Sequence, residues 1–274
     1  MAIITISRGS YSKGKEVAEK VAHALGYQCF SRDLLLEASE QFNIPEIKLV
    51  RALHDAPSIL ERFTYGKERY LAYITAAFLE HVNQDNAVYH GLAGQFLLKG
   101  VSHVLKVRIV ADLEARALLE MEREHISREE ALARLNKDDH ERRQWSLKLH
   151  GVDIWDPLLY DLVLHIHKLK VDDAVDIICH TARMEQFKAT PESRRALRDL
   201  LLAAQVKAAL VHDYPMVKVT ARDGAVTVEA KFNQSQEPRL AEEIKKKAFK
   251  VPGVKTVDMR AHQVSAYVCG TERE

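Results

Sequence analysis

The sequence predicts an α/β protein, a parallel sheet of five strands followed by a smaller unit of order α-β-β-α-β. Three observations predict it. Short apolar runs alternate with amphipathic helical stretches through about the first 180 residues, the pattern of a parallel sheet wrapped by helices. A hairpin and a further helix–strand pair are crowded into the chain beyond residue 192. Over 274 residues, 47% hydrophobic and 29% charged positions supply apolar material for two cores and argue against wholesale disorder.

The elements follow in order. Residues 3–7 form an apolar strand, and Val17, Val21 and Leu25, with Ala18 and Ala22, recur at helical spacing directly after it. Residues 27–30 read as the second strand. The stretch 33–82 is mostly helical and, at roughly 50 residues, far longer than a βα crossover, so it reads as an inserted helical subdomain. Strands are expected at 87–90, 103–110 and 162–167. Ser127 and Glu130 form a capping-box pattern that opens a long polar helix to about residue 149. Its low apolar content predicts that it projects from the core. Trp155-Asp156-Pro157 reads as a structural turn feeding the fifth strand.

Residues 1–183 are expected to form the first domain, 184–192 a linker, 193–265 the second domain and 266–274 a tail. Thr190 caps the next helix with Pro191 in its first turn, and Leu197, Leu200, Leu201, Ala204, Ala208 and Val211 make its apolar face. Strands at 216–220 and 225–231 are joined by Arg222-Asp223-Gly224, a strong hairpin signal. A helix at 237–249 and a strand at 254–260 complete the unit.

Charge and composition exclude several classes. The net charge of +1 hides 25 basic and 28 acidic residues before residue 192 and 15 basic against 11 acidic from there on. The most apolar stretch, 70–79, is too short to span a bilayer, so no transmembrane segment is expected. The N-terminus runs into a strand without the flank and core of a signal peptide. Cys29, Cys179 and Cys269 lie far apart and are expected as reduced thiols in a cytoplasmic protein.

The sharpest motif is Gly9-Ser10-Tyr11-Ser12-Lys13-Gly14-Lys15, between the first strand and its helix. It satisfies G-x-x-x-x-G-K in a strand–loop–helix context. Backbone N–H groups there wrap phosphate oxygens, the helix dipole adds to the attraction, and Lys15 reaches the β- and γ-phosphates. Glu16 stands where a P-loop has Ser or Thr to hold Mg²⁺. The competing reading is a tight βα turn that contains two glycines and a lysine.

This start, with Ile4-Thr5-Ile6-Ser7-Arg8 before the loop and Tyr27-Gln28-Cys29-Phe30-Ser31-Arg32-Asp33 after the helix, resembles cytidylate kinase-like proteins. In that family a basic residue–Glu pair after the loop glycine is usual, as in Lys15-Glu16. The resemblance continues through residues 86–91 and 103–109, Asp139-His140-Glu141-Arg142, and 155–164. It implies a P-loop NTPase fold with a five-stranded parallel sheet, helical insert and lid, and ATP-dependent phosphoryl transfer to a nucleoside monophosphate such as CMP or dCMP. ATP and Mg²⁺ are the implied cofactors. Gly9, Ser10, Ser12, Lys13, Gly14, Lys15 and Glu16 would cradle ATP, with His167 near the adenine. Arg32, Asp33, Arg69 and Gly91 would face the acceptor. Lys15, Arg142 and Lys137 would neutralise the transferring group, the last two from a lid that also carries Arg143. For that lid cluster the competing reading is a solvated helix face.

The sequence departs from the family at Gly91-Leu92, where relatives read Gly-Arg and the arginine binds acceptor phosphate. Arg69 and Arg8 are the cations that could compensate. His165 and His167 share a strand face, but no third ligand has suitable spacing and no metal site is expected. The C-terminal unit resembles a BON domain on Val217–Thr220, residues 223–228 and residues 252–257, which implies a phospholipid surface or a protein partner. Lys245, Lys246, Lys247 and Lys250 could meet acidic lipid, or be an ordinary exposed helix side. Nucleic acid is not expected, because the cluster lacks interleaved aromatics. Two alternatives to the kinase stay open: a non-catalytic nucleotide sensor or adaptor, and a kinase for another small-molecule acceptor.

Overall fold

A computed structural model of the protein describes residues 2–31, 64–91, 93–232 and 237–263. Arg32, Asp33, Leu92, most of the expected insert and the tail lie outside the described residues. The first sheet comprises β1 (Ile3–Arg8), β2 (Gln28–Ser31), β3 (Ala87–His90), β4 (Val104–Ala111) and β5 (Leu162–Ile166). Its order is β2-β3-β1-β4-β5 and every pairing is parallel, as the alternating sequence pattern predicts.

β1 is central and buried on both faces, with alternate residues pointing to opposite sides. Ile4 and Ile6 pack with Val107 and Ile109 of β4 beneath α1 (Gly14–Leu25) and α6 (Val171–Ala182). Ile3 faces the other layer, where Phe78 of α2 (Gly66–Val82) meets Tyr89 edge-on at 5.0 Å and Phe30 lies 5.4 Å from Tyr89. α3 (Gly94–Leu97), α4 (Leu113–Glu124) and α5 (Arg128–His150) complete this unit.

The capping box of α5 forms as the sequence predicts, with Ser127 accepting from the Glu130 N–H and the Glu130 carboxylate accepting from the Ser127 N–H. The expectation that α5 projects from the core is corrected. Ala131 and Leu135 pack on Ala117 of α4, and Trp145, 4% exposed, enters the main core 5.5 Å from the Tyr70 ring. A few well-placed apolar residues suffice to bury one side of a helix whose overall composition is polar. Trp155-Asp156-Pro157 forms the expected turn, with the Asp156 carboxylate accepting from the Leu158 N–H.

The second sheet, β6 (Lys218–Arg222), β7 (Ala225–Phe232) and β8 (Thr256–Gln263), has the order β6-β7-β8. The hairpin turn places Asp223 and Gly224 at φ 51° and 89°, the pair of positive values that a two-residue hairpin of right-handed twist requires. α7 (Pro191–Leu210) and α8 (Glu237–Ala248) accompany this sheet.

α7 departs from expectation in what it covers. The face read from sequence does not serve the small sheet. Leu197, Ala204, Ala208 and Val211 join the core around α2, while Leu202, Val206 and Leu210 on the opposite side close the core of the second sheet. Two apolar stripes on one helix look, in one dimension, like one broad stripe. The start of α7 is pinned by charge as well, since Arg194 donates to Asp85, which also holds the fully buried His103 imidazole at 2.9 Å. Burial lowers the His103 pKa, and Asp85 partly opposes that shift. Lys207 ties down the following loop by donating to the carbonyls of Pro215 and Val217, and its burial lowers its pKa to about 8. Among the described residues no helix is long and apolar enough to cross a membrane.

Candidate active site

The loop at residues 9–13 leaves the central strand and curls tightly, with Tyr11 and Lys13 at φ 53° and 59°. α1 then begins at Gly14 without a side-chain cap, so its first N–H groups have no side-chain partner at the loop mouth. Such alternation of backbone conformation turns N–H groups inward and favours an anion. Ser12 Oγ donates to the Gly9 carbonyl at 3.0 Å and closes the curl. A Cβ on Gly14 would fall 2.6 Å from Arg8 Cβ, an atom that cannot move without its backbone. Gly14→Ala is therefore expected to cost about 1–3 kcal/mol through overpacking, read as a lower urea midpoint. An unchanged midpoint would show that the loop tolerates a side chain there.

α5, the helix read as the lid, is joined to this loop by two adjacent carboxylates. Ser10 Oγ donates to Asp138 at 2.9 Å. Arg116 of α4, 7% exposed, donates from Nε to the Ser10 carbonyl at 2.7 Å and grips Asp139 through both terminal nitrogens at 2.8 and 2.9 Å. One guanidinium thus fixes both the loop backbone and the lid. Tyr11 lies against Arg123, and its phenol is pushed up to about 12 by burial and a hydrogen bond with Glu120. It stays neutral throughout the physiological range.

Two cavities flank the loop. The outer cleft, about 930 Å³, is lined by Ser10, Ser12, Lys13 and Lys15 together with Arg8 and Arg142. The inner one, about 320 Å³, runs from Gly9 past Arg108 and Arg116 to Trp155. Arg108 Nη1 lies 3.3 Å from Ser7 Oγ and 3.4 Å from the Tyr160 hydroxyl, which donates to the Ile154 carbonyl. Arg143 stacks over Trp155 at 4.5 Å and pairs with Asp153 at 2.6 Å, holding the return segment of the lid.

The structure brings Gly9, Ser10, Ser12, Lys13, Gly14, Lys15 and Arg142 to one place. Lys15 is largely exposed and stands 3.7 Å from Glu19. Glu16 also borders the cleft, but its carboxylate pairs with Lys20 at 3.3 Å. The other expected residues lie apart. Lys137 is 72% exposed beside Glu141 and lines neither cavity. Arg69 donates to the His212 carbonyl just beyond α7, away from the loop. Gly91 ends β3, its N–H bonded to the Ile6 carbonyl. His167 and His165 each pair with Asp112, at 2.6 and 2.9 Å, with their rings stacked. Among the described residues, no group of three or more His, Cys, Asp or Glu side chains is arranged to hold a metal ion.

Asp138, Arg116 and Arg108 were not singled out from sequence. Nothing in the local pattern marks Arg116, one of several charged residues on α4; its partners lie 106 and 23 residues away.

A parallel sheet of order 2-3-1-4-5, with a glycine–lysine loop between the central strand and its helix, defines the P-loop NTPase fold. The sequence comparisons narrow this class. The chain belongs to the cytidylate kinase-like family, whose profile matches residues 3–168. It is 27% identical over 176 residues to a cytidylate kinase of Sulfolobus acidocaldarius, covering 64% of this chain and 91% of the relative. A cytidylate kinase of Pyrobaculum aerophilum is 25% identical over 190 residues, covering 69% and 97%. Among solved structures, an uncharacterized protein from Eubacterium ventriosum is 23% identical with a TM-score of 0.49, covering 66% of this chain and 98% of its own. Shikimate kinase from Bacteroides thetaiotaomicron is 10% identical with a TM-score of 0.42, covering 67% and 99%. The family match ends before α7, so the second sheet lies outside it.

Proposed function

We propose that this protein is an ATP-dependent nucleoside monophosphate kinase with CMP or dCMP as acceptor. The observation that carries the reading is the convergence of Lys13, Lys15 and Arg8 around the loop with Arg142 of the lid in one cleft. In the proposed reaction an acceptor phosphate oxygen bonds to the γ-phosphorus of ATP while the bond to the bridging oxygen breaks, leaving ADP and a nucleoside diphosphate. The protein's part is to position the two nucleotides and neutralise charge spread over the phosphoryl oxygens. In this reading Lys15 meets the β- and γ-phosphates and Arg142 acts from the lid, a role supported by their lining one cleft. The named activity of the archaeal relatives supports the kinase class.

Mg²⁺ is the metal this chemistry implies. It takes hard oxygen donors, and the Ser10 and Ser12 hydroxyls and Asp138 carboxylate on the cleft wall are of that kind, so the residues present fit it. When bound, it would neutralise the polyphosphate and orient its terminal oxygens.

The test is a panel of CMP, dCMP, UMP and AMP with Mg²⁺ and ATP, with ADP and the new diphosphate resolved by chromatography. Turnover of CMP or dCMP above the others is expected; no diphosphate from any of the four would end the kinase reading. A second reading, a nucleotide sensor without turnover, is favoured by Leu92 in the sequence and by the engagement of Arg69 with the His212 carbonyl. Calorimetric nucleotide binding without product would support it. In either reading residues 193–265 serve as a BON-like attachment module, supported by its α-β-β-α-β order, with the exposed Lys246 and Lys250 offered to an acidic lipid surface or a protein partner while Lys245 and Lys247 pair with Glu242 and Asp213.

A further inference from the structure

We infer that Asp138 of the lid helix, together with the Ser10 hydroxyl of the loop, takes the Mg²⁺ of a bound nucleoside polyphosphate, so that metal and lid engage in one event. The inference rests on the nucleotide-binding reading and assigns to the lid a task that a P-loop gives to the residue after its lysine.

Four carboxylates line the outer cleft, and three are poorly placed for a metal at the phosphates. Glu16, at the position after the lysine, pairs with Lys20, which also binds Asp172 of α6 at 2.8 Å, so Glu16 is drawn toward the outer side of α1. Glu19 stands beside Lys15 one turn further along the helix. Glu122 is exposed on α4. Asp138 is half-buried, touches the loop itself through Ser10, and among the described residues pairs with no cation. Its neighbour Asp139 is neutralised by Arg116.

A carboxylate that pairs with no cation among the described residues, on a wall that also carries Arg8, Lys13, Lys15 and Arg142, would oppose polyphosphate oxygens directly. A divalent cation between them reverses the sign of that contact. Ser10, 6% exposed and fixed by Arg116 through its carbonyl, presents a second oxygen donor at 2.9 Å from the carboxylate, and carboxylate, hydroxyl, phosphate and water together make an oxygen set suited to Mg²⁺. Because Asp138 belongs to α5, a metal bound this way also holds the lid over the nucleotide.

The test is calorimetric binding of the non-hydrolysable analogue AMP-PNP to the full chain, in Mg²⁺ and in EDTA, for the wild type, Asp138→Asn and Ser10→Ala. The wild type is expected to bind at least about tenfold more tightly with Mg²⁺ than without. Asp138→Asn should erase most of that ratio while metal-free affinity holds or improves, and Ser10→Ala should reduce it less. Mn²⁺ bound with AMP-PNP should show an altered paramagnetic resonance spectrum in Asp138→Asn. A mere tether between lid and loop would lower both affinities together and keep the ratio, which would overturn the assignment. So would a wild type without metal preference. A wild type that binds no AMP-PNP in either condition overturns the nucleotide reading itself, whereas a metal preference kept by Asp138→Asn overturns only the role of Asp138.

Discussion

Lys15→Ala is expected to lower kcat/KM for phosphoryl transfer by about 10²–10³, the usual loss when one preorganised charge donor is removed from a transition state. The size follows from where the charge sits. Lys15 is the second residue of α1, beside a loop whose left-handed residues turn backbone donors the same way. The fold should barely register the change. The side chain is 65% exposed, and its contact with Glu19 at 3.7 Å joins two solvated groups, an interaction of small stabilising value. Unfolding in urea should therefore match the wild type while activity collapses. Lys15→Arg should not restore the rate, because a planar guanidinium cannot stand in for a compact ammonium at a crowded phosphate. Normal turnover in Lys15→Ala would remove the residue from the mechanism, and a parallel loss of stability would make it structural.

Arg116→Met is expected to act on stability first, by about 3 kcal/mol, because it leaves Asp139 charged and largely enclosed without its partner. The side chains of Arg116 and Asp139 are 9% and 22% exposed, so solvent can take over only part of the lost contact. The Ser10 carbonyl loses its 2.7 Å donor at the same time, and the loop loses the group that sets its curvature. The double variant Arg116→Met, Asp139→Asn should recover part of the stability by removing the stranded charge, but not the activity. Chemical denaturation of the three variants measures this directly. If Arg116→Met lies within about 0.5 kcal/mol of the wild type, the pairing is peripheral.

Much of the scaffold was legible in one dimension because its signals are local. Strand runs such as that from Ile3, the Ser127–Glu130 box, the Thr190–Pro191 helix start and the Asp223-Gly224 turn each act within a few residues, and each forms. The loop was legible for the same reason: two glycines and a lysine stand at fixed spacing between a strand and a helix, although the left-handed turns fall at Tyr11 and Lys13. What was not legible depended on distance. Lys137 and Arg142 share the lid helix, and only their position around its axis separates an exposed lysine from a cleft arginine. The charge of Arg69 is visible in sequence, whereas its carbonyl partner, 143 residues away, is not. Asp138 and Asp139 are adjacent in sequence, yet Asp139 is neutralised by a buried arginine while Asp138 faces a loop hydroxyl. The double stripe of α7 belongs with these, since a helix that serves two masters carries no mark of the second.

That helix has a consequence for anyone who would dissect the chain. A cut before Pro191 would strip the cover from Leu71 and the apolar side of α2, and a fragment beginning there would carry Leu197, Ala204 and Ala208 bare into water. Each half would inherit a sticky seam where the intact molecule has an interior. The two sheets are thus joined as two rooms are by a common wall, and what loosens one side of that wall is felt in the other.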